Sequence, residues 1–146
     1  MVEQAKTGNQ AAAPMAAGFL AEAYIDVGHV KGALGSIDAG LALSEQSGTH
    51  VWDAELIRLR GELALRGDPP EQAGAASEFQ RAAEVARRQG MRTFELRSTV
   101  RLARLAAARG ERAEARSMLA PVHDAFTEGF DTPDLVEARA LLDELA

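Results

Sequence analysis

The chain contains no cysteine, which excludes both a disulfide framework and a thiolate metal site. Aromatic residues make up only 5% of it, with a single Trp and a single Tyr, and β-branched residues are sparse. That usage argues against a β-sandwich or barrel. No apolar run approaches the roughly 18 residues that a membrane span needs. The first residues, MVEQAKTGNQAAAP, have neither the basic start nor the apolar centre of a signal peptide. These absences predict a cytoplasmic protein that makes no use of a membrane. No G-x-x-x-x-G-K-[ST] phosphate loop and no H-E-x-x-H pair occur, so the commonest nucleotide and zinc signatures are missing.

What is abundant is Ala, Leu, Glu and Arg, the composition of a mostly helical protein. At 146 residues the chain is long enough for one continuous core and too short for a second of comparable size. Its net charge of -6 argues against general nucleic-acid binding, which needs a strongly basic face. Basic residues are nevertheless uneven: they crowd between Arg81 and Arg116, among intervening Glu. That mixture reads first as a solvated, salt-bridged helix surface.

Six glycines punctuate the chain. Gly28, Gly67 and Gly110 close helix-like runs at intervals of 39 and 43 residues, and Gly48, Gly90 and Gly129 close the alternate runs at intervals of 42 and 39. A period near 40 divided between two helices marks an α-solenoid, whose units bury their apolar faces only by stacking. The expected class is therefore all-α, with residues 1–13 disordered and a domain over 14–146. Helical spacing of apolar residues gives units at about 14–48, 49–90 and 91–131, followed by a capping helix over 133–145. Thr49 is expected to cap the third helix. In D-P-P-E, Asp68 is expected to cap the fourth, with Pro69 in its first turn and Glu71 completing a capping box. Pro121 interrupts the sixth run and should kink or shorten it. Thr132 and Pro133 start the seventh, with Leu135, Ala138, Leu142 and Leu145 inward and Asp134, Glu137, Asp143 and Glu144 outward.

Aligned on the glycines, the units read LAEAYIDVGHVKGALGSIDAGL, LRGELALRGDPPEQAGAASEFQRAA and LARLAAARGERAEARSMLAPV. They resemble the tetratricopeptide repeat. In the first unit the matching positions are Leu20, Ala21, Tyr24, Gly28, Ala33 and Ile37, with Gly40 where Ala is usual. In the second they are Leu59, Leu63, Gly67, Ala75, Phe79 and Ala82, and in the third Leu102, Ala103, Ala106, Gly110, Ala115, Leu119 and Val122. The period exceeds the family's usual ~34 residues, so the helices are expected to be longer. The segment from Met118 to Leu145 is further similar to the C-terminal end of large bacterial regulators. Those join a class III cyclase or DNA-binding domain to an ATPase module and a tetratricopeptide array. The resemblance implies either the C-terminal part of such a signalling regulator or a stand-alone descendant.

What the resemblance implies is a non-catalytic protein-protein interaction module. It would dock a peptide or helix on its concave face, without a cofactor. The other reading is a ligand- or peptide-sensing domain that controls transcription or an attached ATPase or cyclase. Arg97, Arg101 and Arg104 share one helix face, and by alignment they fall on or beside groove-lining positions, with Arg58 one unit earlier. Tetratricopeptide domains that clamp a peptide carboxylate carry basic residues at the positions matched by Arg97 and Arg101. The first unit, however, has Gly18 and Glu22 where that clamp uses Lys and Asn. The implied site is thus a looser groove, involving Arg58, Arg97, Arg101, Arg104 and Glu22, for an acidic protein or peptide. The competing expectation is that these arginines pair with helix carboxylates such as Glu62 and Glu95. Trp52 and Phe94 stand at the same offset after Gly48 and Gly90 and read as core filling. His29, His50 and His123 read as helix-end residues and not as metal ligands. No preceding repeat covers Met15, Phe19 and Leu20: either part of that face is exposed and self-associates into a homodimer, or an upstream segment belongs there.

Overall fold

The computed structural model describes residues 2–146, with side chains described from residue 12 onward. All regular structure among them is helical: α1 (Val2–Asp26), α2 (Val30–Ser47), α3 (Asp53–Leu65), α4 (Gln72–Gln89), α5 (Arg92–Ala108), α6 (Arg112–Asp124) and α7 (Pro133–Leu145). None of these helices is long and apolar enough to cross a membrane. The expectation of disorder over 1–13 falls mostly on residues whose side chains lie outside those described, and α1 is continuous through Pro14.

The chain divides into two units, residues 1–78 and 79–146, the division falling within α4. In the first, α1 packs on α2 and both meet α3. The core joins Ala21 and Ile25 of α1, Ala33 and Ile37 of α2, and Leu56 and Leu59 of α3, with Tyr24, Leu41, Trp52 and Leu63 packed around it. In the second, α5, α6 and α7 pack on one another. Leu96, Val100, Ala103 and Ala106 meet Ala115 and Leu119, and α7 adds Leu135, Ala138, Leu141, Leu142 and Leu145.

The two cores follow one plan. Gly110 lies 82 residues after Gly28. At the same offset Ala21 becomes Ala103, Ala33 becomes Ala115, Ile37 becomes Leu119, Leu56 becomes Ala138 and Leu59 becomes Leu141, all of them buried. Small residues at the α1–α2 and α5–α6 crossings let the backbones approach, and a larger apolar residue one turn on fills the space between.

The glycines explain how the helices turn. Gly28, Gly90 and Gly110 have φ of 75°, 71° and 82°, the left-handed region in which a Cβ is strained. Each closes a Schellman motif. His29 N–H donates to the Tyr24 carbonyl at 2.8 Å, Met91 N–H to Ala86 at 2.9 Å, and Glu111 N–H to Ala106 at 3.0 Å. Gly48 (φ 71°) closes α2 with one bond to the Ser44 carbonyl. Gly67 departs from the set, because its φ is not positive and α3 already ends at Leu65 with Arg66 as its right-handed C-cap.

Two helix starts differ from expectation. Thr49 does not cap α3; Trp52 occupies that position, without a side-chain bond. Asp68 and Pro69 precede α4 by several residues, and Glu71 abuts its start, its carbonyl accepting from the Ala75 N–H at 2.9 Å. The capping-box reading therefore placed the start one turn early. Pro121 lies inside α6 and the helix ends one turn later, at Asp124. Thr132 and Pro133 open α7 as expected, Thr132 extended at ψ 148° and Pro133 in the first turn.

Candidate functional site

The arginines of α5 lie in the second unit. Their spacing over Arg97, Arg101 and Arg104 places them on one side of the helix, and all three are half-buried. The Arg97 Nε donates to Asp134 Oδ2 at 3.0 Å, and its guanidinium stands 5.6 Å from the centre of the Phe94 ring, within reach of a cation–π attraction. Arg104 Nη2 donates to Glu137 Oε1 at 3.3 Å. Asp134 and Glu137 are three apart on α7, so they too share a face. The acidic side of α7, expected to point wholly outward, is therefore partly turned onto α5. Asp143 does stay outward and pairs with Arg139 at 3.2 Å.

These pairs are accessible. Arg97 and Asp134 side chains are 37% and 28% exposed, and Arg104 and Glu137 39% and 47%. Ion pairs so open to water contribute about 0–1 kcal/mol each, so opening them costs little. Glu95, expected as an arginine partner, accepts instead from Arg87 Nε at 3.1 Å.

Arg58 and Glu22 belong to the first unit. Arg58 Nε donates to Glu55 Oε2 at 2.6 Å and Nη1 to Glu62 Oε1 at 3.5 Å, both along α3. The Arg58 side chain is only 13% exposed, so its fork is committed to α3 itself, a pairing with Glu62 that the sequence anticipated. Glu22 is exposed on α1.

The histidines all sit at helix ends. His29 caps α2, its Nδ1 accepting from the Gly32 N–H at 2.9 Å. His50 Nδ1 meets Asp53 Oδ2 at 2.8 Å before α3. His123 is buried at the end of α6, 3.0 Å from Asp124 Oδ1 and with its ring 6.2 Å from that of Phe130. Among the described residues no three His, Asp or Glu side chains are grouped as a metal site would require. Trp52 packs on the first core and lies 6.4 Å from the Phe19 ring.

Sequence reasoning missed an open cleft of about 360 Å³ in the second unit. Met118, Pro121 and Val122 form its apolar side, and Arg87, Arg92 and Glu95 its polar rim. Arg92 Nη1 donates to the Ala125 carbonyl at the end of α6, at 2.9 Å. A cation at that point is favoured by the negative end of the helix dipole. The only local signal was the spacing of Met118 and Val122, which helical periodicity assigns equally well to the core. No family model, no curated protein and no solved structure matches this chain.

Proposed function

We propose that this chain is a non-catalytic, tetratricopeptide-like interaction module, of the kind found in bacterial signalling regulators, that docks an acidic peptide or helix along the arginine side of α5. The observation that carries this reading is the register of Arg97, Arg101 and Arg104 on one half-exposed face, where Arg97 and Arg104 already hold carboxylates. Those two pairs support the proposed ligand chemistry, a row of acids at helical spacing, each met by a planar guanidinium fork. The solenoid arrangement is supported by the 82-residue recurrence of core positions and by the repeated glycine closures.

A bench test uses a short acidic peptide with Asp and Glu spaced three and four apart, titrated into the labelled full chain and followed by amide chemical shifts. The expected result at low ionic strength is saturable shifts on α5 and α7 that fade as salt rises. They should be lost in the Arg97→Ala/Arg101→Ala variant. Equal binding by wild type and that variant removes the α5 face as the site, as does the absence of shifts on α5.

A further inference from the structure

The side of α1 opposite its buried residues carries no charge. Ala12, Ala16, Phe19, Leu20 and Ala23, with Val27 one residue beyond the end of α1, are all exposed, Phe19 by 60%, Leu20 by 50% and Val27 by 78%. At 100° per residue the six fall within about 100° of arc. Pro14, Ala21 and Ile25 lie on the other side and are buried. From Ala16 to Ala23 the stripe lies C-terminal to Pro14, within the continuous α1. It also has a counterpart. At the 82-residue offset, Ala16, Leu20 and Ala23 correspond to Ser98, Leu102 and Leu105 of α5, which are buried or half-buried. The repeated architecture therefore covers the Ala16, Leu20 and Ala23 positions where they recur and leaves them open on α1, while Val27 corresponds to Arg109, which is exposed as well.

We propose that a second copy of this chain covers it, the two α1 helices packing antiparallel about a twofold axis near residues 21 and 22. Ala16, Leu20, Ala23 and Val27 are spaced four, three and four apart, the seam that keeps one helix facing another. In an antiparallel pair, Ala16 lies opposite Val27 of the other copy and Leu20 opposite Ala23. Each layer then sets one large residue against one small, which fills space evenly. A parallel pair would set Ala on Ala and Leu on Leu, alternating gaps with crowding. The isologous arrangement satisfies the closed symmetry that most homodimers adopt.

The size of the face decides how tight the pair is. The exposed parts of these six residues present roughly 450 Å² per copy, so the pair buries at most about 900 Å² in all, below the ~1,200 Å² of stable specific interfaces and in the range of weak, transient ones. A reversible dimer with a dissociation constant in the micromolar range or weaker follows.

The experiment is sedimentation equilibrium or light scattering on the full chain over a wide concentration range. Wild type is expected to rise from the 15.5 kDa monomer toward twice that mass. Leu20→Glu and Val27→Glu, both at solvent-facing positions, should stay monomeric while keeping wild-type circular dichroism. Two further variants test the geometry. Ala23→Leu alone should weaken the dimer at least tenfold, because two leucines then meet in each central layer. Leu20→Ala/Ala23→Leu should restore it, because the large and small partners have only changed places. Wild type that stays monomeric up to millimolar concentration overturns the proposal and leaves the face to another protein's helix. A dimer that survives either Glu substitution places the interface elsewhere. An unchanged dimer in Ala23→Leu, or no recovery in the double variant, overturns the antiparallel register.

Discussion

Two glycines on α2 offer a matched pair of substitutions whose difference isolates helix packing. Gly35 and Gly40 are both inside the helix, so replacing either by Ala gains about 0.5–1 kcal/mol from reduced backbone entropy. Their surroundings differ. A Cβ on Gly35 meets nothing within 4 Å, whereas one on Gly40 would stand 3.0 Å from Ala17 Cβ and 3.0 Å from Leu56 Cδ1. Ala17 is fixed on the α1 backbone and Leu56 is fully buried, so neither yields without moving a helix or leaving its rotamer. Such overpacking costs about 1–3 kcal/mol. Gly35→Ala should therefore stabilise the protein and raise Tm by about 2–4 °C. Gly40→Ala should be neutral to destabilising by up to ~2 kcal/mol. Urea unfolding of both variants reads the difference, expected at 1–3 kcal/mol by the same overpacking range. If the two stabilise equally, the close approach of α1, α2 and α3 at Gly40 is wrong.

Two other expectations concern single polar groups. Ser98 is fully buried and its hydroxyl has no hydrogen-bond partner, and the matching position of α1 is Ala16. Ser98→Ala should stabilise by about 1 kcal/mol, since it removes an unsatisfied group of the kind that costs ~1–3 kcal/mol; a destabilised variant in thermal melts would show that the hydroxyl is bonded. On the surface, the hydrogen bond from Arg109 and its charge hold the Glu111 carboxyl below the usual glutamate range. Because the folded value is depressed, the pair's contribution is present above the ordinary glutamate value. It is lost as pH falls through the folded one. Carboxyl NMR titration should show the low Glu111 midpoint, and Arg109→Ala should raise it toward the ordinary value. No change in that variant would refute the pairing.

Much of the helical layout is legible in the chain because its causes are local. Apolar spacing over three to four turns and a glycine that alone tolerates positive φ are both properties of neighbouring residues. The ends of α2, α4 and α5 accordingly fall where Gly48, Gly90 and Gly110 stand. The failures are equally specific. Gly67 looked like its counterparts, but α3 stops at Leu65 with a right-handed cap, and the two prolines after it displace the start of α4. The D-P-P-E pattern carries every residue type of a capping box, yet only Glu71 abuts the helix. For the candidate site, the common face of Arg97, Arg101 and Arg104 follows from spacing alone. Asp134 and Glu137 are the partners that reasoning assigned elsewhere, since residues 37 and 33 positions apart on separate helices reveal nothing of their mutual orientation until the helices pack.

By itself, the sequence determined an all-helical chain and the approximate ends of most of its helices, because periodicity and backbone strain act within a few residues; on α1 the apolar spacing picked Phe19, Leu20 and Val27, which the structure leaves exposed. Tertiary structure decided the rest. It set which acidic residues turn onto the α5 arginines, why Gly40 leaves little room for a Cβ, and that Ala16, Leu20 and Ala23 of α1 stay open while their counterparts on α5 are buried or half-buried. Those outcomes depend on how closely and at what angle distant helices meet, and no local preference encodes that.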